Sequence, residues 1–441
     1  MTSPRNYYII YLYKYVGGFI GDKIMKVYVC GGYIRDTLIQ KYHPELNVQP
    51  HDIDYVVVGS SVEEMLSLGY KQVGNDFPVF LNENGDEYAL ARTERKTGNK
   101  HTDFEFVFNE SITLEEDVLR RDFTCNALAE DEEGNIIDYV GGIKDINDKV
   151  LRVVREETFV EDSLRVLRAA RFVAQLDFTV EPTTLELCRN MVKEGMLDHL
   201  TPERVFKEIE KALNTNKFHR FIETLDEIGA LKVILPEIYN LKFVEEIESH
   251  HPEKTTYNHV ILALKKADEI STTSPLEKFA TLLHDVGKLE TPSDILPHHY
   301  GHEERGLNII DSICKRLKVP SKYTYFAKMC CKYHMSIRRL YEMKPGHIFD
   351  IINDITNGFK DVEYPDSLFK VAEIDLFGRG KEPSFVRILQ FKKCIEIYLE
   401  MVDILKDISA KDFNGLERYK GKEFGEMLRV KKIQYYLDKR G

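Results

Sequence analysis

His51-Asp52-Ile53-Asp54 runs directly into Tyr55-Val56-Val57-Val58-Gly59-Ser60. The apolar run reads as a buried strand, and the two-residue period of a strand puts Asp52 and Asp54 on one face. Two carboxylates that close repel each other and raise one pKa unless a hard divalent cation sits between them. That is the arrangement used by metal-assisted phosphoryl transfer. The plainer alternative is a polar strand entry in which one aspartate caps a turn. Upstream, Cys30-Gly31-Gly32-Tyr33-Ile34-Arg35-Asp36 follows a strand and opens a helix. Its glycines let backbone N–H groups approach a phosphate, and Arg35 offers a fork of donors. The two segments together suggest one loop that cradles a triphosphate and one strand that holds its metals. A third acid is expected from the strand over 103–108, where Asp103 and Glu105 share a face; Glu105 is preferred.

A second set of chemistry-bearing residues lies far downstream. His284-Asp285 closes the apolar helical run Phe279-Ala280-Thr281-Leu282-Leu283, with His259 before it and His302, His334 and Asp375 after it. Imidazoles and carboxylates in such a set can hold one or two divalent ions and generate a hydroxide for phosphoester hydrolysis. His250, His251, His298 and His299 read equally well as ordinary surface histidines.

The elements that must position these residues change character along the chain. From Val27 to about Ile146, short β-like runs at 27–30, 53–58, 79–81, 88–91 and 104–108 alternate with turns and short helical stretches, which indicates an α+β region. From about Phe159 the strand signal fades. Thr201-Pro202-Glu203 carries an N-cap residue, a proline at the first helical position and an early acid, and the remaining chain reads as almost entirely helical. The expected division is an N-terminal extension (1–24), a head (25–146), a helical body (147–245), a second catalytic unit (246–378) and a helical tail (379–441).

With 441 residues, 43% of them hydrophobic and 30% charged, the chain has the material for several buried cores. A net charge of −12 argues against indiscriminate coating of nucleic acid, so any nucleic-acid site must be a local basic patch. The tail from Lys411 to Gly441 has nine Lys or Arg against five Asp or Glu, and Arg92 to Lys100 is a second basic stretch. Seven cysteines without a C-x-x-C pair do not form a disulfide framework, and the expected setting is a reducing cytoplasm. Cys330 and Cys331 read as small buried side chains in a helix. The tyrosine-rich run from Tyr7 to Ile20 is too short of apolar residues to span a bilayer and lacks a signal cleavage site.

The glycine turn and paired aspartates resemble the nucleotidyltransferase superfamily that includes polymerase beta. More narrowly they resemble the bacterial-type CCA-adding tRNA nucleotidyltransferases. The likeness continues through Val73-Gly74-Asn75-Asp76-Phe77-Pro78-Val79-Phe80, Ala89-Leu90-Ala91-Arg92-Thr93-Glu94-Arg95-Lys96, Arg120-Arg121-Asp122-Phe123-Thr124-Cys125-Asn126-Ala127-Leu128 and Glu161-Asp162-Ser163-Leu164-Arg165-Val166-Leu167-Arg168, and covers nearly the whole chain from Met25. One departure is the loop from Lys41 to Pro50, which is longer than the family's usual connection. The resemblance implies a polymerase-beta-like head followed by an all-α body, Mg2+ at Asp52 and Asp54, and addition of C and A to tRNA from CTP and ATP without a nucleic-acid template. It also implies nucleotide contacts from Gly32, Arg35, Arg121, Arg168 and Arg171, and a flexible loop at 92–100 that helps switch from C to A.

Asp162 and Arg165, three apart on a helix, set an acceptor beside a donor, with Arg168 a turn further on. Cytosine and adenine both present an amine donor beside a ring-nitrogen acceptor, whereas uracil and guanine reverse that order. The pair therefore suits C and A, and leaves buried groups unpaired with U or G. An ordinary surface ion pair is the alternative. The histidine and aspartate order of the downstream set is similar to the HD metal-dependent phosphohydrolases. One bacterial subset of the CCA-adding family carries such a domain as a phosphatase, 2′-nucleotidase and 2′,3′-cyclic phosphodiesterase served by nickel or another divalent transition metal. Two rival readings remain. A bacterial poly(A) polymerase shares the aspartates and Arg120-Arg121-Asp122, although Asn75-Asp76-Phe77-Pro78 resembles the CCA-adding form. The other is a regulatory HD phosphohydrolase whose head only binds nucleotide.

Overall fold

A computed structural model describes residues 25–73, 79–96, 104–107, 109–247, 252–361 and 364–440, without the side chains of 94–96, 104–107 and 364. Expectations placed on residues 1–24, on Gly74 to Pro78, on Thr97 to Asp103 and on His250 and His251 lie outside the described residues. Two compact units divide the chain, one ending at Glu161 and the other beginning at Asp162.

In the first unit, a seven-stranded sheet has the order β3-β4-β5-β2-β1-β8-β9. Its strands are β1 (Lys26–Cys30), β2 (Asp54–Val58), β3 (Lys71–Val73), β4 (Val79–Leu81), β5 (Glu87–Leu90), β8 (Leu128–Glu130) and β9 (Ile136–Asp138), while β6 (Thr93–Lys96) and β7 (Phe104–Val107) pair in a small sheet of their own. Every neighbouring pair in the large sheet is antiparallel except β2 with β5. The continuous apolar run of β2 has a direct cause, since the strand is covered on both faces. Val56 packs with Cys30, Val118 and Ala129 on one side, and Val57 packs with Met65, Phe80 and Leu90 on the other.

Helix α1 (Gly32–Tyr42) follows β1 without a spacer beyond Gly31, α2 (Val62–Ser67) follows β2, and α3 (Leu114–Leu119) begins at a capping box formed by Thr113 and Glu116. The long loop after α1 is pinned by the His43 Nε2, which lies 3.1 and 3.0 Å from the carbonyl oxygens of Ile146 and Asn147. The first unit extends past the expected boundary at Ile146. Thr124 N donates to Arg152 O and Val154 N to Asp122 O, which ties the following segment back to the head.

The second unit is built of helices. Those that carry candidate residues are α4 (Leu164–Leu176), α5 (Pro202–Leu213), α6 (Thr256–Glu269), α7 (Pro275–Leu283), α8 (His302–Leu317), α9 (Ser321–Ile337), α10 (Tyr364–Phe377), α11 (Phe385–Leu405) and α12 (Gly421–Arg440). α5 begins with Pro202 at its first position as expected, but the Thr201 side chain makes no capping hydrogen bond. Phe206 on α5, Phe279 on α7 and Tyr323 on α9 meet edge to face in the core between these helices. All seven cysteines are buried thiols, with Cys330 and Cys331 inside α9. Among the described residues, no helix is long and apolar enough to cross a membrane.

Candidate functional site

At one edge of the large sheet, β1 ends and β2 begins, because the two strands are antiparallel with Cys30 opposite Asp54. The glycine turn and the aspartates therefore share that edge. Gly31 has φ of +74° and ψ of −130°, a backbone state that L side chains rarely adopt, and a Cβ there would stand 3.4 Å from an Arg121 guanidinium nitrogen. Asp54 is the first residue of β2, and Asp52 lies in the extended segment before it; both are exposed. On the other side of β2, parallel register puts Glu87 of β5 beside Asp54. Partial burial pushes the Asp54 carboxyl up, with Glu87 and Asp52 adding to the rise and Arg121 opposing it. A carboxylate crowded by two others favours a proton or a cation, and the oxygen-only set of Asp52, Asp54 and Glu87 fits a hard ion such as Mg2+.

Glu87, the acid beside Asp54 in the sheet, was not singled out in the sequence. The expected third carboxylate, Glu105, stands in β7 opposite Arg95 of β6, in the separate two-stranded sheet. Its strand makes no ladder with β2. Period-two alternation identifies faces within one strand but says nothing about which strands are neighbours, so the adjacency of Glu87 to Asp54 shows only in the topology.

The arginines near this edge are held by acids. Arg35 is buried, donating from Nε to Asp36 at 2.7 Å and from a terminal nitrogen to the Asn126 side-chain oxygen at 2.7 Å. Asn126 in turn donates to Asp122 at 3.1 Å. Arg120 and Arg121 both pair with the fully buried Asp117 of α3, at 2.6 and 3.0 Å, and against the effect of burial they hold its carboxyl below the usual range. Arg121 also donates to the Asn126 carbonyl at 3.1 Å. The segment from Arg120 to Asn126 thus works as a brace behind the glycine turn. Gly32 is close to it, since a Cβ there would be 3.5 Å from Arg35.

In the second unit, Asp162 precedes α4 and Arg165 is its second residue, so the two are not on one helix as the spacing suggests. The Asp162 carboxylate accepts from the Leu164 backbone N–H at 3.1 Å and from Arg204 of α5 at 2.8 Å. Arg165 is buried. Arg168 and Arg171 flank the Phe172 ring at 5.5 and 4.0 Å. Arg171 is buried and donates to Glu208 at 2.6 Å and to Gln175 at 2.7 Å, so much of its fork is spent inside the helical core.

All six residues of the histidine–aspartate set converge. His259 comes from α6, His284 and Asp285 from the end of α7, His302 from the first position of α8, His334 from α9 and Asp375 from α10, and each is at least nine-tenths buried. Their Nε2 atoms face inward. His259 and His284 stand 3.3 Å apart through Nε2, His259 Nε2 lies 3.1 Å from Asp375, and His284 Nε2 lies 3.3 Å from Asp285. The opposite ring nitrogens are anchored: His284 to Thr281 O at 2.7 Å, His302 to His299 O at 2.9 Å, His334 to Cys331 O at 2.9 Å and His259 to Glu253 at 3.2 Å. Imidazoles fixed through Nδ1 with Nε2 converging are in the arrangement that metal ligation requires. His302 Nε2 is buried and 3.2 Å from Asp285, yet out of hydrogen-bond alignment, which leaves it directed at the centre.

Two triads, His259/His284/Asp375 and His284/Asp285/His334, each bring their ligand atoms within 4.8 Å of one another. The mixed nitrogen and oxygen donors fit a transition metal such as nickel better than magnesium. Burial pushes His334 down to about 3, helped by His284 and His302, so its ring is neutral and able to ligate. Asp285 and Asp375 are held well below the usual carboxylate range despite burial, by Lys288 and by Arg338 respectively. Backbone contact is as tight as it can be here, because a Cβ on Gly287 would fall 1.9 Å from His302 O.

This centre forms part of the lining of a cavity of about 540 Å³, along with Arg338, Arg339, Arg379 and Arg387. None of these arginines stood out in the sequence.

The chain matches the family described as "Poly A polymerase head domain" over residues 27–152, and over 177–241 that described as "Probable RNA and SrmB- binding site of polymerase A". It is 40% identical to the multifunctional CCA protein of Teredinibacter turnerae over 415 residues, covering 93% of this chain and 97% of that one. The chain belongs to the multifunctional CCA protein family. Another relative, from Haemophilus influenzae, is 44% identical over 80% of this chain and 85% of its own length. Among solved structures, the Bacillus stearothermophilus CCA-adding enzyme in complex with CTP matches with a TM-score of 0.62 at 22% identity, covering 98% of this chain and 92% of that one, a likeness of fold. This multifunctional CCA protein family member is an enzyme, a CCA tRNA nucleotidyltransferase. Both matched families carry poly(A) polymerase descriptions, whereas the relatives that match along nearly the whole chain are multifunctional CCA proteins.

Proposed function

We propose that this enzyme adds C, C and A to the 3′ end of tRNA from CTP and ATP, and that its histidine–aspartate centre is an HD phosphohydrolase acting on phosphomonoesters and 2′,3′-cyclic phosphodiesters. In the first reaction the tRNA 3′-hydroxyl attacks the α-phosphate of the incoming nucleotide and pyrophosphate leaves. Asp52, Asp54 and Glu87 hold the divalent ion; when bound, such an ion lowers the pKa of the attacking hydroxyl and offsets charge on the phosphoryl and leaving oxygens. The observation that carries the assignment is the shared sheet edge, where the strained Gly31 turn, Asp54 and Glu87 meet. Gly32 and the braced Arg35 and Arg121 support the triphosphate. Asp162, oriented by Arg204, and Arg165 read the incoming base, and Arg168 assists them.

The HD reading is supported by six buried ligands from five helices and their ends, with four imidazoles oriented through Nδ1. A bound nickel or similar ion supplies a hydroxide nucleophile at neutral pH. The deciding experiment supplies tRNA lacking its 3′ end with CTP, ATP, both or neither, and separately 2′,3′-cyclic AMP with nickel, manganese or cobalt. Addition of long A tracts without use of CTP would replace the first reading with a poly(A) polymerase. An absence of turnover with every metal would remove the second.

A further inference from the structure

The cavity above the HD centre has a wall that comes from beyond the expected limit of that unit. α11 starts at Ser384, whose hydroxyl accepts the Arg387 backbone N–H at 3.4 Å, and its opening turns bring Arg387, Gln390 and Phe391 to the cavity. Arg387 and Phe391 are four apart and so lie on one helical face. Phe391 is buried, and its ring meets Phe369 of α10 at 6.1 Å; Tyr398, also buried, meets the same ring at 5.1 Å. α10 is the helix that carries Asp375. Aromatic packing thus holds this turn of α11 against α10, with Arg387 exposed at the cavity one turn before Phe391.

The other cations of the cavity are committed. Arg338 and Arg379 both pair with Asp375, Arg339 with Glu342, and Lys288 with both Glu246 and Asp285. Among the described residues, no acidic side chain pairs with the Arg387 guanidinium.

We infer that Arg387 is the phosphate-recognising residue of this cavity. The inference rests on the HD reading for the fate of the phosphate, but not for its capture. A guanidinium meets a phosphate through two parallel charge-assisted hydrogen bonds, a geometry lysine cannot reproduce.

The test uses the full chain loaded with nickel, with inorganic phosphate as the probe by titration calorimetry. Arg387→Gln is expected to weaken phosphate binding by about tenfold or more, and Arg387→Lys to restore part of it, with an unchanged melting temperature. With 2′-AMP as substrate, Arg387→Gln raises KM by a similar factor while kcat stays within about twofold. Wild-type protein that binds no phosphate, or an Arg387→Gln chain that binds it as tightly as wild type, overturns the inference. Arg387-dependent phosphate binding without hydrolysis of any ester upholds it and removes the hydrolase proposal instead.

Discussion

Asp54 and Glu87 stand side by side on the only parallel pair of neighbours in the large sheet, β2 and β5. If both hold the catalytic ion, Glu87→Gln lowers kcat for nucleotide addition by about tenfold to a hundredfold, a range typical of weakened metal support, and Asp54→Ala abolishes addition. Glu105→Gln leaves addition near wild type. Extension of tRNA lacking its 3′ end reads all three. A larger loss for Glu105→Gln than for Glu87→Gln would return the third carboxylate to β7.

Arg204 holds one oxygen of Asp162 at 2.8 Å. Arg204→Ala frees that carboxylate to turn, so discrimination of CTP over UTP is expected to fall by at least about tenfold, with a smaller loss in total addition. The ratio of kcat/KM for the two nucleotides measures this. An unchanged ratio means that Asp162 is positioned by its helix end alone.

Arg171 and Glu208 form a buried ion pair, with side chains 8% and 4% exposed. Arg171→Met leaves the buried Glu208 with only the looser Lys211 contact at 3.8 Å, at an expected cost of about 2–4 kcal/mol of stability, while the double variant Arg171→Met/Glu208→Leu costs far less. Denaturant midpoints of the four chains give the coupling. Additive losses would show that the two charges do not depend on each other.

Asp268 accepts from the His219 backbone N–H at 2.9 Å and pairs with Lys278 at 2.7 Å. Burial pushes its carboxyl up, but His219 and Lys278 outweigh that and hold it below the ordinary range. A carboxylate lowered on folding stabilises the protein fully above its unfolded pKa of about 3.9, and that contribution disappears as pH falls through the lowered folded value. Wild-type stability therefore drops with pH in this acid window, and Asp268→Asn flattens the drop. Melting temperatures from pH 6 downward test it; parallel curves for the two proteins would contradict it.

Gly287 meets the His302 carbonyl with no room for a side chain. Gly287→Ala must push α8 away and carry His302 with it, so nickel bound per chain, measured by elemental analysis, falls well below wild type. Retention of full nickel content would show that His302 is not needed in the centre.

The five strand runs read from the sequence recur within a residue or so of their positions, because β1, β2 and β4 are apolar segments closed by Gly or polar residues. β6 was not anticipated, since Thr93-Glu94-Arg95-Lys96 has no apolar alternation to mark it. The same contrast holds for the sites. His284-Asp285 was legible because polar residues that close the mainly apolar run at 279–283 need a partner. Glu87 was not, because strand neighbours are set by the path of the sheet. Asp162 and Arg165 showed their spacing but not the start of α4 between them. Arg387 acquires its place only through the packing of α11 on Phe369, a contact that no spacing rule foretells.

That packing also limits how the protein can be dissected. A fragment ending at Gly378 would keep every metal-ligand residue, yet it would strip the cover of Phe391 and Tyr398 from Phe369. The newly bared apolar surface would make the excised piece prone to self-association. The histidine–aspartate centre is thus not a portable module that stops at Asp375, and any graft of it onto another protein must carry α11 along.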